Sequence, residues 1–331
     1  MSNMEQNPTE SLCTSSASDG PTLDLLPGRL VPLSPRRPLQ ASTDGGAEAR
    51  DETIVNRMLP TRSRRMVGAW CFVDHYGPDD ISATSGMQVA PHPHSGLQTV
   101  SWLYDGAVHH QDSLGSDELV RPGGLGLMTA GQAISHSEAS PTERPRMLHG
   151  MQLWVALPDQ DRSREPAWEY HSELPSTTYD DAQVRVLMGT FGDTTSPATT
   201  HTPIVGAEAR LAGEATLPLR PDFEYAVVVA SGAIALDDSA IEPGSLAYLG
   251  RGRSELVVSG NAVFLLLGGE PFEEEIVMWW NFIGRTHAEI DSMRKGWMDG
   301  SDYGTVNSFG GRTLPAPPLP DVTLRPRGRA G

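Results

Sequence analysis

Two short runs carry side chains whose types and spacing could do chemistry, His92-Pro93-His94 and, further along the chain, His136-Ser137-Glu138. Together they offer three imidazoles and a carboxylate in two pairs spaced i, i+2. In a β-strand, residues two apart point to the same face with Cα atoms roughly 7 Å apart, so each pair presents both donors on one side of a sheet. Directly opposed residues on adjacent antiparallel strands hold their Cβ atoms about 5 Å apart, close enough to share an ion at about 2.1 Å from each nitrogen or oxygen. If the two strands are neighbours, all four donors converge. The spacing argues for a sheet and against a helix.

Three neutral imidazoles and one carboxylate leave a divalent ion with a net charge of +1, which favours an incoming anion. Four protein ligands on an octahedral ion also leave two positions for a substrate oxygen and dioxygen, or for two waters. Imidazole and carboxylate suit iron, manganese, nickel, cobalt, copper or zinc, and the lack of thiolates argues only against the softest sites. The competing reading is a buried polar cluster satisfied by hydrogen bonds.

The elements that must position these donors read as strands. Gly (34) and Pro (27) are spread through the 331 residues, favouring short strands joined by turns. Gln98 to Leu103 predicts a strand ending at Asp105-Gly106, a hairpin signal, with Val108 to Asp112 returning. Arg121-Pro122-Gly123-Gly124 makes a further turn before Leu125 to Met128, and Met151 to Leu157 supplies a strongly β-prone strand closed by Pro158. A second block predicts strands at Val184–Met188, Tyr225–Val229, Ala233–Leu236, Ser245–Leu249 and Ala262–Leu267. It repeats the first block without its histidines. Ile241-Glu242-Pro243-Gly244 matches the position of Val120-Arg121-Pro122-Gly123, a sign of duplication.

Ile276, Trp279, Trp280, Ile283, Ile290, Met293 and Trp297 recur at helical spacing and predict one long helix from Glu273 to Trp297, with Glu273-Glu274-Glu275 in its first turn and Arg294-Lys295 in its last. Its tryptophan stripe reads as core packing. The tail after Gly300, with Leu314-Pro315-Ala316-Pro317-Pro318-Leu319-Pro320, is expected to be extended, lying across the domains or dangling. The leader up to Gly45 is too polar to order itself, with Leu23–Leu26 and Leu30–Leu33 as its candidate anchors. The expected division is a leader over 1–50, a metal-binding domain over 51–175, a related domain without a metal site over 176–272, and a helix and tail over 273–331.

Lys and Arg number 25 against 42 Asp and Glu, a formal charge of −17 that repels a phosphate backbone. Direct nucleic-acid binding is disfavoured. The two cysteines, Cys13 and Cys71, give no support for a disulfide framework. No signal peptide or membrane-spanning run is read from the sequence, so a cytoplasmic monomer is expected.

The wider run resembles the pirin family of the cupin superfamily. The resemblance rests on Phe72-Val73-Asp74-His75-Tyr76-Gly77-Pro78, Pro91-His92-Pro93-His94-Ser95-Gly96, His110-Gln111-Asp112-Ser113-Leu114-Gly115, Met128-Thr129-Ala130-Gly131, His136-Ser137-Glu138 and Gln152-Leu153-Trp154-Val155. It spans about Asn56 to Trp297 and implies an all-β bicupin, two antiparallel jelly-roll-like barrels with one mononuclear metal in the N-terminal barrel. The family's ligands fall on His92, His94, His136 and Glu138, and Fe2+ is the metal it implies. Two residues depart from the family pattern: Ser95 stands where Arg is usual, and Gln98 replaces the Glu of the usual Phe-Glu-Thr. His75 reads as structural, and of His109 and His110, on alternate faces, at most one points inward.

Two functions follow from the resemblance. One is a dioxygenase similar to quercetin 2,3-dioxygenases, acting on a flavonol-like or other small aromatic or enol substrate, with Glu138 both metal ligand and catalytic base. Phe72, Trp102, Met128 and Trp154 are candidate pocket residues, though strand aromatics are commonly barrel core. The other is a non-catalytic, metal-dependent regulator that binds a transcription factor or metabolic enzyme, for which the acidic charge suits a protein partner better than DNA.

Overall fold

The computed structural model describes residues 20–35 and 52–328. Cys13 and most of the leader lie outside the described residues. The first half contains strands β1 (Pro21–Pro27), β2 (Arg29–Pro35), β3 (Glu52–Leu59), β4 (Trp70–Asp80), β5 (Gln88–His94), β6 (Leu97–Asp105), β7 (Val108–Asp112), β8 (Asp117–Val120), β9 (Leu125–Thr129), β10 (Ile134–Ala139), β11 (Met147–Ala156) and β12 (Ala167–His171). The second contains β13 (Ser176–Tyr179), β14 (Ala182–Phe191), β15 (Thr194–Thr195), β16 (Ile204–Pro218), β17 (Glu224–Leu236), β18 (Ser239–Ile241), β19 (Ser245–Gly250) and β20 (Glu255–Gly269), followed by a hairpin, β21 (Val277–Trp279) and β22 (Phe282–Gly284), and one helix, α1 (His287–Asp299).

All named strand pairs are antiparallel, and the architecture is the all-β bicupin. In the first barrel, a four-stranded sheet in the order β5-β10-β7-β8 faces a seven-stranded sheet in the order β12-β9-β6-β11-β4-β3-β2. A nine-stranded sheet built on β1-β19-β17-β20-β16-β14-β13 forms the second. The second barrel's interior is apolar, with Val227, Phe264 and Leu266 among the buried side chains. The Pro-Gly turns at Gly123 (φ +89°) and Gly244 (φ +110°) each join a short strand to the next, as their matched sequences suggest.

The barrels meet across one large apolar cluster containing Trp70, Trp102, Val228, Leu265 and Leu267. Polar anchors cross it. Trp70 Nε1–H donates to the carbonyls of Val205 (3.1 Å) and Gly268 (3.2 Å), Trp102 Nε1–H to Glu208 Oε2 (2.9 Å), and Gly68 N–H to Glu224 Oε1 (2.7 Å).

Four expectations are corrected. The Asp105-Gly106 turn does not make a hairpin: β6 pairs with β9 and β11, whereas β7 pairs with β8 and β10, so the turn carries the chain from one sheet to the facing one. Gly106, at φ +94°, permits that change of direction. Tyr225–Val229 and Ala233–Leu236 are one strand bent by a register shift between Val229 and Ser231, not two strands.

The helix is shorter than its tryptophan spacing suggests. Val277–Trp279 and Phe282–Gly284 form a hairpin through Trp280 at φ +52°, so Trp279 and Trp280 fill a cluster with Trp297 and Tyr303 from a non-helical backbone, while Ile276 and Ile283 join the apolar cluster between the barrels. Helix α1 begins at Thr286, whose Oγ1 accepts from Glu289 N–H (3.2 Å), and ends at Gly300 in the left-handed region. Thr286-x-x-Glu289 has the capping-box pattern, the sequence signal for the true start. Because the helix continues to Asp299, Arg294 and Lys295 lie before its last turn, which holds no basic residue.

The leader's anchors do order. β1 adds to β19 at the edge of the second barrel and β2 adds to β3 in the first, burying Leu26, Val31 and Leu33. The tail packs as well: Leu314 N–H donates to Pro91 O (2.8 Å) on β5, and Trp297 Nε1–H to Leu314 O (2.8 Å).

Candidate metal centre

Strands β5 and β10 are neighbours with His136 opposite His92 and Ile134 opposite His94, so the i, i+2 pairs share a face as the spacing requires. The imidazoles of His92, His94 and His136 are completely buried, and one ligand nitrogen from each lies within 4.8 Å of the others. Their ring centroids are 4.4 to 5.1 Å apart. Among the described residues this is the only group of three or more His, Cys, Asp or Glu donors so placed.

The hydrogen bonds select which nitrogens remain free. His92 Nδ1 lies 2.9 Å from Ala90 O, so Nδ1 carries the proton and Nε2 keeps a lone pair. His136 Nδ1 faces His110 Nδ1 at 3.3 Å, again leaving Nε2. His92 Nε2 and His136 Nε2 have no hydrogen-bond partner, and the His94 ring, which bonds no other side chain, faces the Asn281 backbone and keeps one nitrogen open. Buried imidazole nitrogens left without partners favour coordination over a polar cluster satisfied by hydrogen bonds. Burial pulls the His92 pKa down to about 4, and burial reinforced by neighbouring imidazoles holds His94 and His136 well below the usual range. The three rings are neutral at pH 7, the form that binds metal.

Glu138 is buried on the same strand but does not join the cluster of converging donors. A register shift between His136 and Glu138 places Glu138 opposite Val89. Its Oε1 lies 3.3 Å from Ser101 Oγ, which in turn lies 3.0 Å from Gln152 Oε1. Three of the four expected donors thus converge, with the carboxylate on an adjoining polar path.

His110 is the functional side chain that sequence reasoning left aside. On β7, paired with β10, it turns inward and is buried, whereas its neighbour His109 is partly exposed and bonds Asp117 (2.5 Å). With Nδ1–H of His136 donating to His110 Nδ1, His110 Nε2–H donates to Asp112 Oδ2 (3.1 Å), while Asp112 Oδ1 accepts from the backbone N–H groups of Leu114 (2.9 Å) and Ser116 (3.0 Å). Burial is the largest single influence on Asp112 and opposes its ionisation, but the bond and charge of His110 together with the bonds from Ser116 hold the carboxyl below its ordinary value. Trp168 stacks on the His110 ring at 3.6 Å. This chain fixes the tautomer of His136, and the His-x-Asp spacing in His110-Gln111-Asp112 was the available signal. His110→Ala is expected to weaken metal affinity by about 10- to 100-fold, read by competition with a chromophoric chelator.

His75 lies elsewhere, its Nε2 2.8 Å from His149 Nε2, and burial with the adjacent His149 lowers its pKa to about 4. Ser95 meets the C-terminal segment: its hydroxyl is 2.8 Å from Tyr303 OH, and its carbonyl accepts from Ile283 N–H (2.9 Å). Gln98 shares a strand face with Trp102, opposite to that of Ser101, and its amide donates to Thr129 Oγ1 (2.9 Å) and Thr199 O (3.2 Å). It points toward the second barrel.

Comparison with known proteins agrees with this arrangement. The pirin family model matches residues 52–155, and the model of the pirin C-terminal cupin domain matches residues 205–302. The chain belongs to the pirin family. Similar pirin-family relatives include a Pseudomonas aeruginosa protein named "Putative quercetin 2,3-dioxygenase", 40% identical over 303 residues that cover 90% of this chain and 96% of the relative. Human pirin is 32% identical over 211 residues, covering 60% of this chain and 72% of that one. Among solved structures, quercetin 2,3-dioxygenase from Acinetobacter baumannii superposes with a TM-score of 0.82 at 37% identity, covering 92% of this chain and 97% of that one. A pirin-family cupin with this imidazole triad is suited to one metal ion.

Proposed function

We infer that this pirin-family chain is an iron-dependent dioxygenase of the quercetin 2,3-dioxygenase type, acting on a flavonol-like or other enol substrate. The observation that carries the reading is the set of three neutral, buried imidazoles on β5 and β10, each with a nitrogen within 4.8 Å of the others and with His92 Nε2 and His136 Nε2 left without hydrogen-bond partners. His92, His94 and His136 would hold the ion, with the Glu138 carboxylate as fourth ligand. When bound, a divalent iron supplies a Lewis-acidic, redox-active centre for an enol oxygen and dioxygen. Glu138 takes the substrate's hydroxyl proton, and Ser101, within 3.3 Å, orients that carboxylate. The names carried by the similar proteins from P. aeruginosa and A. baumannii support the same substrate class.

The test is metal analysis of protein purified without added metal, followed by oxygen uptake with a flavonol. About one equivalent of iron and flavonol-dependent uptake, reduced roughly 100-fold or more in Glu138→Gln, is the expected result. Tight iron with no uptake replaces the enzyme by a metal-dependent regulator. Less than about a tenth of an equivalent of any transition metal after reconstitution removes the site assignment altogether.

A further inference from the structure

We propose that an arginine- and tryptophan-lined cavity beside the metal centre is a binding site for a small aromatic carboxylate. The cavity has a volume of about 370 Å³, within the range of small-molecule sites. It lies between β4 and β11 of the first barrel, the β21 hairpin strand and the C-terminal tail, with β2 contributing at its rim. None of His92, His94, His136 or Glu138 lines it. The ring of Trp154, which does, stands 5.2 Å from the ring of His94 in an edge-on contact.

Its composition runs against that of the chain. The protein carries a formal charge of −17, yet Arg29, Arg57, Arg62, Arg65, Arg325 and Arg327 all line this cavity, and no Asp or Glu does. Arg57 is held by a two-pronged bond to buried Asp74 (2.8 Å for each prong), which also sets its guanidinium 4.3 Å above the ring of Phe72. Arg62 and Arg325 are exposed and have no hydrogen-bond or ion-pair partner among the described residues. A cluster of cations in an acidic protein creates a local field that draws anions, and a guanidinium's planar fork matches a carboxylate.

A second observation points to a ligand independently of charge. Trp154 and Trp279 are buried residues of the cavity lining, and the Nε1–H of each lacks an acceptor. Burying an indole N–H unsatisfied is unfavourable, and a carboxylate or phenol oxygen in the cavity is an acceptor of the missing kind. Trp154 also stacks flat on Phe72, with centroids 4.0 Å apart at 11°, which offers an aromatic wall to a planar ring. Donors of both kinds, aromatic walls and the enclosed volume select a flat organic anion over a polymeric phosphate, which the overall charge repels.

The probe is 2-naphthoate, with uncharged 2-naphthylmethanol as control, titrated calorimetrically into chelator-treated full-length protein. Naphthoate is expected to bind with about one-to-one stoichiometry and roughly tenfold tighter than the alcohol, and Arg62→Ala/Arg325→Ala is expected to weaken it about tenfold. Trp279→Phe, which keeps an aromatic ring but removes the N–H, should weaken it about threefold to tenfold. Binding should survive in His92→Ala, separating this site from the metal ligands and from the fate of the dioxygenase reading. Equal affinity for acid and alcohol, no effect of the paired arginine substitutions, or loss of binding in His92→Ala overturns the proposal.

Discussion

Replacing His94 by alanine is expected to lower bound metal from about one equivalent to less than about a tenth, and to abolish the stabilisation that metal confers. The native ensemble gains RT ln(1 + [L]/Kd) from a ligand that binds only the folded state, about 2.7 kcal/mol when free metal is 100 times Kd. Urea unfolding with and without added metal reads this directly. The wild type should show the gain, and the variant should not. The ring is hydrogen-bonded to no other side chain, so its removal breaks no side-chain network. What the metal-free variant does lose is packing against Trp154. A variant that still binds a stoichiometric metal with wild-type affinity would refute the triad.

The second large effect concerns the seam between the barrels. Trp70→Ala should cost about 3 to 5 kcal/mol of unfolding free energy, the range for deleting a buried aromatic side chain. Trp70 is fully buried, its Nε1–H bridges the carbonyls of Val205 and Gly268, and a Cβ on Gly206 would come within 2.9 Å of its ring. Trp70→Phe separates the contributions: it keeps most of the apolar contact and removes the donor, for an expected cost of about 1 to 3 kcal/mol. Chemical denaturation of the full chain checks both. A loss below about 0.5 kcal/mol for the alanine variant would mean that the indole does not anchor one barrel to the other.

The imidazole triad was legible because strand periodicity is local: residues two apart share a face whatever the sheet, and the family resemblance supplied the pairing of β5 with β10. Glu138 was less legible, since a strict period of two carries no notice of the register shift that places it opposite Val89. His110 escaped because its role depends on β7 lying beside β10, a non-local fact. The same applies to the Asp105-Gly106 turn, whose residues favour a reversal but do not specify whether the returning strand joins the same sheet or the facing one. At residues 276–283 apolar spacing alone misled. A hairpin divides the same side chains between two clusters, Trp279 and Trp280 in one and Ile276 and Ile283 in the other, and the capping residues Thr286 and Glu289 were the stronger signal.

The leader strands β1 and β2 have a consequence for the molecule's behaviour outside its fold. Each lies along the border of a sheet, β1 on β19 and β2 on β3, where an uncovered strand would present open N–H and C=O groups to any extended chain nearby. One short segment, with only Gly28 between its two strands, thus supplies the outermost strand of a sheet in each barrel, and Pro21, Pro27 and Pro32 along it have no N–H to offer a further strand. Proteolytic loss of these residues would leave the metal ligands in place while moving the two borders inward to β19 and β3, neither of which contains a proline.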